Sequence, residues 1–200
     1  MARHRDQRAR REALIEATYA AGGDLGLRAL SLTDVAKRAG LTRGAVLYYY
    51  DDLDSLLVEA HAAGVARFCD ERDREISGIE DPRRALDVAI TMGLPSGPDD
   101  ALMRLLYELD VMAGSSALHE QLVQELDRRQ FATYHGIVSA GRRSGVFAPV
   151  LGDDLVATTL AMLEDGYGLH IVTDHTTTHD AAADGIRSVA EQLGCPTLRS

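Results

Sequence analysis

Histidine and aspartate recur at helical spacing near the C-terminus, in the stretch HIVTDHTTTHD. His170 stands four residues before Asp174. His175 stands four residues before His179, with Asp180 beside it. This spacing places two side chains on one face of a helix, where imidazole and carboxylate groups can bind a transition metal. The three consecutive threonines indicate a helix break, however, and no matching set of ligands stands out elsewhere. We therefore favour a polar loop between helices, and keep a metal-binding helical enzyme as an alternative.

Other signals of catalysis are missing from the sequence. It contains no GxSxG, HExxH, P-loop or GxGxxG motif in the required context. Cys69 and Cys195 lie far apart and form no CxxC pair, which predicts a reduced, cytoplasmic protein. No apolar run reaches the roughly 18 residues that a membrane span needs, and no apolar segment follows the N-terminal MARHRDQRARRE to make a signal peptide. We expect neither an enzyme nor a membrane protein, and no cofactor.

Charge is distributed unevenly along the chain, whose formal net charge is −10. Residues 1–47 contain nine Lys or Arg and five Asp or Glu, whereas residues 48–200 contain twelve and twenty-six. A short basic segment on an acidic chain indicates that only this segment meets a polyanion. A solvated arginine-rich tail would give the same pattern.

Two short helices with their caps can be read from residues 30–50, LSLTDVAKRAGLTRGAVLYYY. Ser31 fits an N-cap, and Asp34 completes a capping box. Gly40 suits the left-handed residue that ends the first helix, and Thr42 caps the second. Two brief helices joined by a short glycine-containing turn make a helix-turn-helix.

The second helix of such a motif presents its N-terminal residues to the DNA major groove. Here these are Thr42, Arg43, Gly44 and Ala45, which we call the reading turn. Arg43 can bind guanine O6 and N7, and the Ala45 methyl can contact a thymine methyl. Gly44 weakens a helix, and close approach to DNA would explain it. The predicted DNA-binding set also includes the flanking residues Ser31, Thr33, Tyr48 and Tyr49.

The three consecutive tyrosines divide by helical geometry. Tyr49 and Tyr50 fall toward the hydrophobic side, so we expect them mainly in the core with polar tips at the rim. Tyr48 lies off that face and is expected to place its hydroxyl on a phosphate. Asp52 is predicted to cap the helix that follows, whereas Asp51 and Asp54 would repel a phosphate backbone unless they point aside.

Helical periodicity covers nearly the whole chain, and sustained alternation typical of strands is absent. We predict an all-α protein of about nine helices, with an N-terminal three-helix DNA-binding domain at residues 1–51 and a larger helical bundle at 52–200. The first helix is expected over about residues 8–21, ended by GGDLG. Asp81 and Pro82 are expected to open a later helix.

The segment LSLTDVAKRAGLTRGAVLYYYDDLDSLL resembles the DNA-binding segment of TetR-family transcriptional regulators. This resemblance implies a homodimer that binds double-stranded operator DNA, most often as a repressor that a small molecule releases. Leu47 and Leu53 replace a tyrosine and a lysine that commonly contact phosphates in this family. A basic arm is expected to compensate, consisting of Arg3, Arg5, Arg8, Arg10 and Arg11.

The resemblance also implies that the two last long helices pair with those of a second subunit. Burial of the same faces within one subunit is the alternative. The candidate dimer residues are Leu155, Thr159, Met162, Gly166, His170, Ile186, Val189 and Leu193.

An effector pocket would take adaptable or aromatic residues from the central helices. Such residues are equally typical of ordinary core, and a DNA-binding regulator without an effector is the second interpretation. Glu108 and Asp110 are candidates for binding a cationic ligand or for a solvated face. The pocket candidates are Met92, Met103, Tyr107, Met112, Phe131, Tyr134, His135, Met162 and Tyr167.

Overall fold

The computed structural model describes residues 2–174 and 176–198, and in these ranges it contains helices and no strand. The predicted all-α fold is confirmed. The chain forms two compact units. The first unit takes the chain up to Ala66 together with Asp99–Val123, and the second takes Arg67–Pro98 together with the chain from Gln124 onward.

The first unit contains the predicted helix-turn-helix and a further helix that packs against the first helix of the chain. This compact unit is therefore larger than residues 1–51, and the functional boundary after residue 51 stays a prediction. Its helices are α1 (Ala2–Leu25), α2 (Leu32–Arg38), α3 (Arg43–Val46) and α6 (Ala101–Met112), with the beginnings of α4 (Leu53–Ile76) and α7 (Ala117–Ser144).

The first helix is longer than the sequence predicts, because it continues through Gly22 and Gly23 to Leu25. A Cβ on Gly22 would lie 2.9 Å from Leu105 Cδ1, and one on Gly23 would lie 3.0 Å from Ala101 Cβ. These glycines therefore allow α6 to approach α1 closely and do not break the helix. The chain turns instead at Gly26, whose φ is +74°.

Glu108 fixes the loop that follows α1. Its Oε2 accepts a hydrogen bond from the backbone N–H of Leu27 at 2.6 Å. Neither expectation for Glu108 from the sequence, a ligand-binding carboxylate or a solvated one, describes this role. An unsatisfied backbone N–H in a partly buried loop is costly, so the carboxylate stabilises the entry into α2.

The second unit surrounds one apolar core built from α5 (Pro82–Gly93), α8 (Asp153–Asp174), α9 (His179–Gln192) and the remainder of α7. Asp81 caps α5 by accepting the backbone N–H of Arg83 at 2.9 Å, and Pro82 opens the helix, as predicted. Both cysteines are buried free thiols in this unit.

A buried ion pair lies at the centre of the second unit. Arg72 donates to both carboxylate oxygens of Glu164, at 3.0 and 2.7 Å, and the two side chains are 2% and 0% exposed. Tyr134 donates its hydroxyl to Glu164 at 2.6 Å, and Gln130 donates its amide at 2.8 Å. Burial opposes the charge on Arg72, but the attraction of Glu164 outweighs it and the pKa of Arg72 is raised. The carboxylate is thus held by residues of α4 and α7.

Gly93 leaves the space that this carboxylate occupies, because a Cβ there would lie 2.0 Å from Glu164 Oε2. We expect Gly93→Ala to lower the free energy of unfolding by roughly 1–3 kcal/mol, the usual cost of overpacking, with displacement of the ion pair adding to it. Thermal and urea unfolding followed by circular dichroism would measure the change.

Gly136→Ala is the matched control, because Gly136 lies in α7 and a Cβ added there would have nothing within 4 Å. Alanine there is expected to raise stability by up to about 1 kcal/mol through helix propensity. Equal effects of the two substitutions would contradict the proposed packing role of Gly93.

Candidate nucleic-acid interface

The capping box that opens α2 has the geometry expected from the sequence. Asp34 donates its backbone N–H to Ser31 Oγ at 3.3 Å, and Ser31 donates its backbone N–H to Asp34 Oδ2 at 3.0 Å. Ser31 Oγ also donates to this carboxylate. The hydroxyl is therefore engaged in capping, which gives Ser31 a structural role instead of the predicted DNA contact. Thr33, in the first turn of α2, is exposed.

The turn between α2 and α3 closes through a left-handed glycine. Gly40 has a φ of +66°. Leu41 donates its backbone N–H to Ala36 O at 2.8 Å, and Gly40 donates to Lys37 O at 3.2 Å. This pair of bonds satisfies the last carbonyl groups of α2 and sets the direction of the following residues. Thr42 then caps α3 by accepting the backbone N–H of Ala45 at 3.2 Å.

The reading turn presents its residues to solvent. Thr42, Arg43 and Gly44 are exposed and Ala45 is half-buried, while Val46 is fully buried in the core of the first unit. A Cβ on Gly44 would meet only Thr42 Oγ1, at 4.0 Å. Since packing within the chain does not require glycine at this position, the expectation that an external surface approaches it closely gains support.

The tyrosines lie as helical geometry predicts. Tyr48 is 66% exposed, Tyr49 is half-buried and Tyr50 is buried. The rings of Tyr48 and Tyr49 meet edge to face with their centroids 5.1 Å apart. Burial raises the pKa of Tyr50 to about 12. Tyr48 is thus available for a phosphate, whereas Tyr50 anchors the segment after α3 in the core.

Two arginines of the basic arm, Arg8 and Arg11, are less free than the sequence predicts, and the side chains of Arg3 and Arg5 lie outside the described residues. Arg11 Nε donates to Glu59 Oε1 at 3.1 Å, and its guanidinium carbon lies 4.7 Å from the centre of the Tyr50 ring. The hydrogen bonds to Glu59 raise the pKa of Arg11. Arg8 forms an ion pair with Glu12 at 2.8 Å. Arg11 thus holds α1 against α4, and its predicted role in compensating Leu47 and Leu53 needs correction.

Two of the residues singled out in the sequence, Leu53 and Asp52, have structural roles at the beginning of α4. Leu53 packs against the core of the first unit, so its side chain serves folding. Asp52 caps the helix by accepting the backbone N–H of Ser55 at 2.8 Å, and this bond lowers the pKa of Asp52. Leu47 is partly exposed beside the reading turn.

The predicted dimer residues of α8 form an exposed stripe on the second unit. Leu155 is 54% exposed and Met162 is 57% exposed, and Gly166 and His170 are also exposed. Thr159, on the same stripe, is half-buried. An apolar helix face that its own unit leaves uncovered is typical of an interaction surface.

The α9 part of the dimer prediction needs correction. Ile186 is fully buried among core residues of its own unit, so it cannot lie on an interface. Val189 and Leu193 are half-buried. Arg187 donates to Asp87 at 2.7 Å and ties α9 to α5. The apolar stripe of α9 thus serves the subunit's own core, which is the alternative that the sequence left open.

The nine pocket candidates are divided between the two units. Met103, Tyr107 and Met112 belong to the first unit, and the others belong to the second. Tyr134 is fully buried with its hydroxyl on Glu164, so we reassign it to the core. Met162 is on the exposed stripe of α8. The remaining candidates of the second unit are half-buried: Met92 on α5, the stacked pair Phe131 and His135 on α7, and Tyr167, which packs against Gly185.

The candidate metal ligands do not converge in the described part of the chain. His179 lies 3.0 Å from the carbonyl oxygen of Thr91 and 3.1 Å from Asp180. His170 is exposed on α8. His175 and the side chain of Asp174 lie outside the described residues. Among residues 2–174 and 176–198, no three His, Cys, Asp or Glu side chains are grouped to hold a metal ion.

Two functional candidates gave no sequence signal. His61 on α4 and His119 on α7 are buried and face each other in the first unit, with their Nδ1 atoms 2.9 Å apart. They stand 58 residues apart in sequence, each as a single histidine within a helical pattern. Only the packing of the two helices brings them together.

Known relatives share part of this sequence, although no family model matches the chain. The HTH-type transcriptional regulator BetI of Yersinia pestis (strain Pestoides F) is 36% identical over 80 residues, which is 38% of this chain and 40% of that protein. BetI of Pectobacterium carotovorum subsp. carotovorum (strain PC1) is 30% identical over 126 residues, 62% of this chain and 65% of that protein. The matches thus span less than two thirds of these relatives.

Solved structures extend the likeness to nearly the whole chain. A TetR transcription regulator from Haloarcula marismortui superposes with a TM-score of 0.80 at 22% identity, covering 93% of this chain and 96% of that one. The chain therefore has the fold of this TetR transcription regulator. Two further neighbours of the same fold contain ligands. A transcriptional regulator from Saccharomonospora viridis in complex with choline has a TM-score of 0.83 at 20% identity, covering 90% and 95% of the two chains. FadR from Bacillus subtilis in complex with stearoyl-CoA has a TM-score of 0.73 at 17% identity, covering 92% of this chain and 97% of that chain.

The shared fold agrees with the interpretation drawn from the helix-turn-helix. The relatives and neighbours that resemble this chain are transcriptional regulators and not enzymes. In the described residues no helix is both long and apolar enough to cross a membrane. The individual DNA contacts of this chain stay predictions, and they rest on the exposure and orientation of the reading turn.

Tyr48 and Tyr50, two positions apart in the sequence, provide a test of the division between surface and core. Tyr48→Phe is expected to leave the unfolding temperature unchanged and to weaken DNA binding, because it removes only an exposed hydroxyl. Tyr50→Ala is expected to cost about 3–5 kcal/mol of stability, because it empties a buried site. Circular dichroism and fluorescence anisotropy on one DNA duplex measure both effects. A large loss of stability in Tyr48→Phe would contradict its assignment to the surface.

Proposed function

We propose that this chain is a sequence-specific DNA-binding transcriptional regulator that acts as a homodimer and is released from its operator by a small molecule. The exposed N-terminal turn of α3, held by caps on both short helices, is the observation that carries the proposal. Arg43 offers donors for a guanine edge, and the free backbone N–H groups at the start of α3 suit phosphate. A regulator of transcription acts where the DNA is, and we place this chain in the cytoplasm.

Removal of the Arg43 side chain tests the proposed contact. Arg43→Ala is expected to weaken binding to DNA from the protein's own upstream region by roughly 1–3 kcal/mol and to reduce discrimination against unrelated DNA. Folding should not change, because Arg43 is exposed. Fluorescence anisotropy across a salt series separates the loss of a base contact from a general loss of charge.

Arg143→Ala removes an equal charge from an exposed position in the last turn of α7 and serves as the matched control. It is expected to bind like the wild type. Equal weakening by the two substitutions would contradict the assignment of Arg43 to base reading. Absence of selective binding by the wild type to any genomic fragment would remove the proposed function itself.

A homodimer would use the exposed stripe of α8. Leu155, Met162 and Leu169 are large apolar side chains exposed on this helix, and Gly166 between them allows a second helix to come near. Burying such a stripe against its copy would remove apolar surface from water and place two reading turns on one DNA. Successive major grooves on one face of DNA are about 34–36 Å apart, which is the spacing that the two turns must match.

A charge on this stripe should separate the subunits. Met162→Lys is expected to weaken the dimer by roughly 2 kcal/mol or more, because an unpaired ammonium group would be buried at the interface. Sedimentation velocity over a concentration series measures the change. Ala132→Lys, at an exposed position on α7, adds the same charge elsewhere and should leave the dimer intact. A Met162→Lys protein that dimerises like the wild type would place the interface on another surface.

The effector itself cannot be transferred from the neighbours. Choline is a small cation with a hydroxyl, and stearoyl-CoA combines a long acyl chain with a nucleotide. The shared fold therefore supports binding of an effector without selecting its chemistry. The pocket candidates that are half-buried in the structure are Met92, Tyr107, Met112, Phe131, His135 and Tyr167. We propose that effector contacts come from this set, and chemical-shift changes on ligand addition would identify them.

A further inference from the structure

The histidine pair of the first unit is joined edge to edge. The Nδ1 atoms of His61 and His119 are 2.9 Å apart, and the ring centroids are 5.2 Å apart with an interplanar angle of 26°. The distance between the ring centroids is longer than the distance between the Nδ1 atoms by about two ring radii. The two Nδ1 atoms therefore lie between the ring centres, and the rings contact each other through these nitrogens. One ring therefore donates an N–H to the other, and a single proton lies between them.

A metal ion is a poor explanation of this pair. The Nδ1 atoms lie at the distance of an N–H···N hydrogen bond, and two imidazoles that face each other head-on at this distance leave no room for a bridging ion. No third His, Cys, Asp or Glu joins the pair within the described residues. The proton is the one ligand that fits between the rings.

Asp54 determines which ring carries which proton. Its Oδ1 lies 3.9 Å from His119 Nε2, too far for a hydrogen bond but near enough to favour N–H and positive charge at that nitrogen. His119 is then protonated at Nε2 and accepts at Nδ1, so His61 donates its Nδ1–H. His61 Nε2 is then a buried acceptor and His119 Nε2 a buried N–H donor, and neither has a hydrogen-bond partner among the described residues. The three side chains thus form a row from the surface to the interior.

We propose that Asp54, His119 and His61 form a proton relay that makes DNA binding sensitive to pH. This inference rests on the proposed DNA-binding function. A proton that binds to His61 Nε2 lets the Nδ1 proton of His61 pass to His119 Nδ1. The positive charge then lies on His119, which is the ring that faces the Asp54 carboxylate. One proton is bound, one is transferred along the existing hydrogen bond, and no other group changes.

The charged groups around the pair favour this direction of transfer. Burial, together with the smaller effect of the neighbouring His119, lowers the pKa of His61 to about 4. Burial also lowers the pKa of His119, and Asp54 acts against this effect. Asp54 on α4 and the two rings on α4 and α7 are the ionisable groups that act on the pair among the described residues. Both rings are thus neutral at pH 7, and charge enters only in acid.

Charge on His119 changes what α4 presents to DNA. Asp54 lies in the first turn of α4, soon after the reading turn, and its side chain is 67% exposed. A free carboxylate there repels phosphates, whereas one paired with a charged His119 does not. Acidification should therefore strengthen DNA binding. The relevant window runs from about pH 6.5, the ordinary histidine value, down to the lowered pKa of His61.

Folding has the opposite dependence on pH. Because the pKa of His61 in the folded chain, about 4, lies below the ordinary value of about 6.5, the unfolded chain binds this proton more readily. Stability is therefore lost as the pH falls between these values. DNA affinity must be measured where circular dichroism shows a folded protein.

Asp54→Asn provides the main test, because Asp54 is exposed and its loss should not affect folding. Anisotropy on one upstream duplex at constant ionic strength, from pH 7.5 down towards pH 4 as far as circular dichroism shows a folded protein, should show wild-type affinity rising roughly threefold or more. Asp54→Asn should bind more tightly at pH 7.5 and lose most of this rise, and His119→Gln should lose the rise. His179→Gln is the control, since His179 also lies near a carboxylate, 3.1 Å from Asp180, and should keep the wild-type response. An Asp54→Asn protein with the full wild-type rise would overturn the relay.

Nitrogen-15 NMR of the histidine side chains separates the relay from the proposed function. The full-length protein should show His61 protonated at Nδ1 and His119 at Nε2, with His119 the ring that becomes charged in acid and doing so at lower pH in Asp54→Asn. The opposite tautomers, or two rings that titrate independently, would overturn the relay. The expected NMR titration with no DNA binding at any pH would confirm the relay's chemistry and refute the DNA-binding function instead.

Discussion

A buried carboxylate, that of Glu164, imposes the packing of the second unit. An ion placed in a dry core is tolerated only when its charge is balanced and its lone pairs accept hydrogen bonds. Arg72 supplies the charge and two bonds, and Tyr134 and Gln130 supply the others. Gly93 is glycine for the same reason, since any side chain would occupy the carboxylate's position. A segment of α4, a face of α7 and the end of α5 are therefore fixed relative to α8 by one residue. Most substitutions at the contacts of Glu164 would leave a buried charge without its full set of partners.

The first unit meets a different constraint, because α3, the helix that contains Arg43, is too short to be stable alone. An isolated helix needs roughly 12–15 residues in water, and α3 has four. Its direction is therefore fixed from outside, by the left-handed Gly40 before it, the Thr42 cap at its start and Val46 buried beneath it. Exposure of the reading turn follows from this arrangement: the apolar side of α3 is needed for anchoring, which leaves the N-terminal side exposed to solvent.

Local rules predict the parts of the fold that neighbouring residues determine. The capping box of Ser31 and Asp34, the left-handed Gly40 and the Thr42 cap each depend on residues within a few positions, and the structure confirms them. Contacts between distant residues were not predictable in this way. Gly22 and Gly23 looked like a helix end, because nothing nearby in sequence announces the approach of α6. Arg11 looked free for DNA because its partner, Glu59, lies 48 residues away. Ile186 follows the pattern of an apolar stripe, and the pattern does not reveal which subunit covers it.

One helix contains the residues on which both units and the proposed regulation depend. Asp52 caps α4 from the position just before its first turn. His61 lies on the part of α4 that belongs to the first unit, and Arg72, on the part that belongs to the second, forms the ion pair with Glu164. A helix transmits displacement along its axis because each turn is bonded to the next. A ligand can act on this helix only if it binds one arrangement of the Arg72 site more tightly than another. Such a change would be opposed by the buried polar groups of α4, since a partly broken hydrogen-bond network is costlier than a complete one. Arg72 and His61 are therefore the residues of α4 at which the packing of each unit tolerates least change.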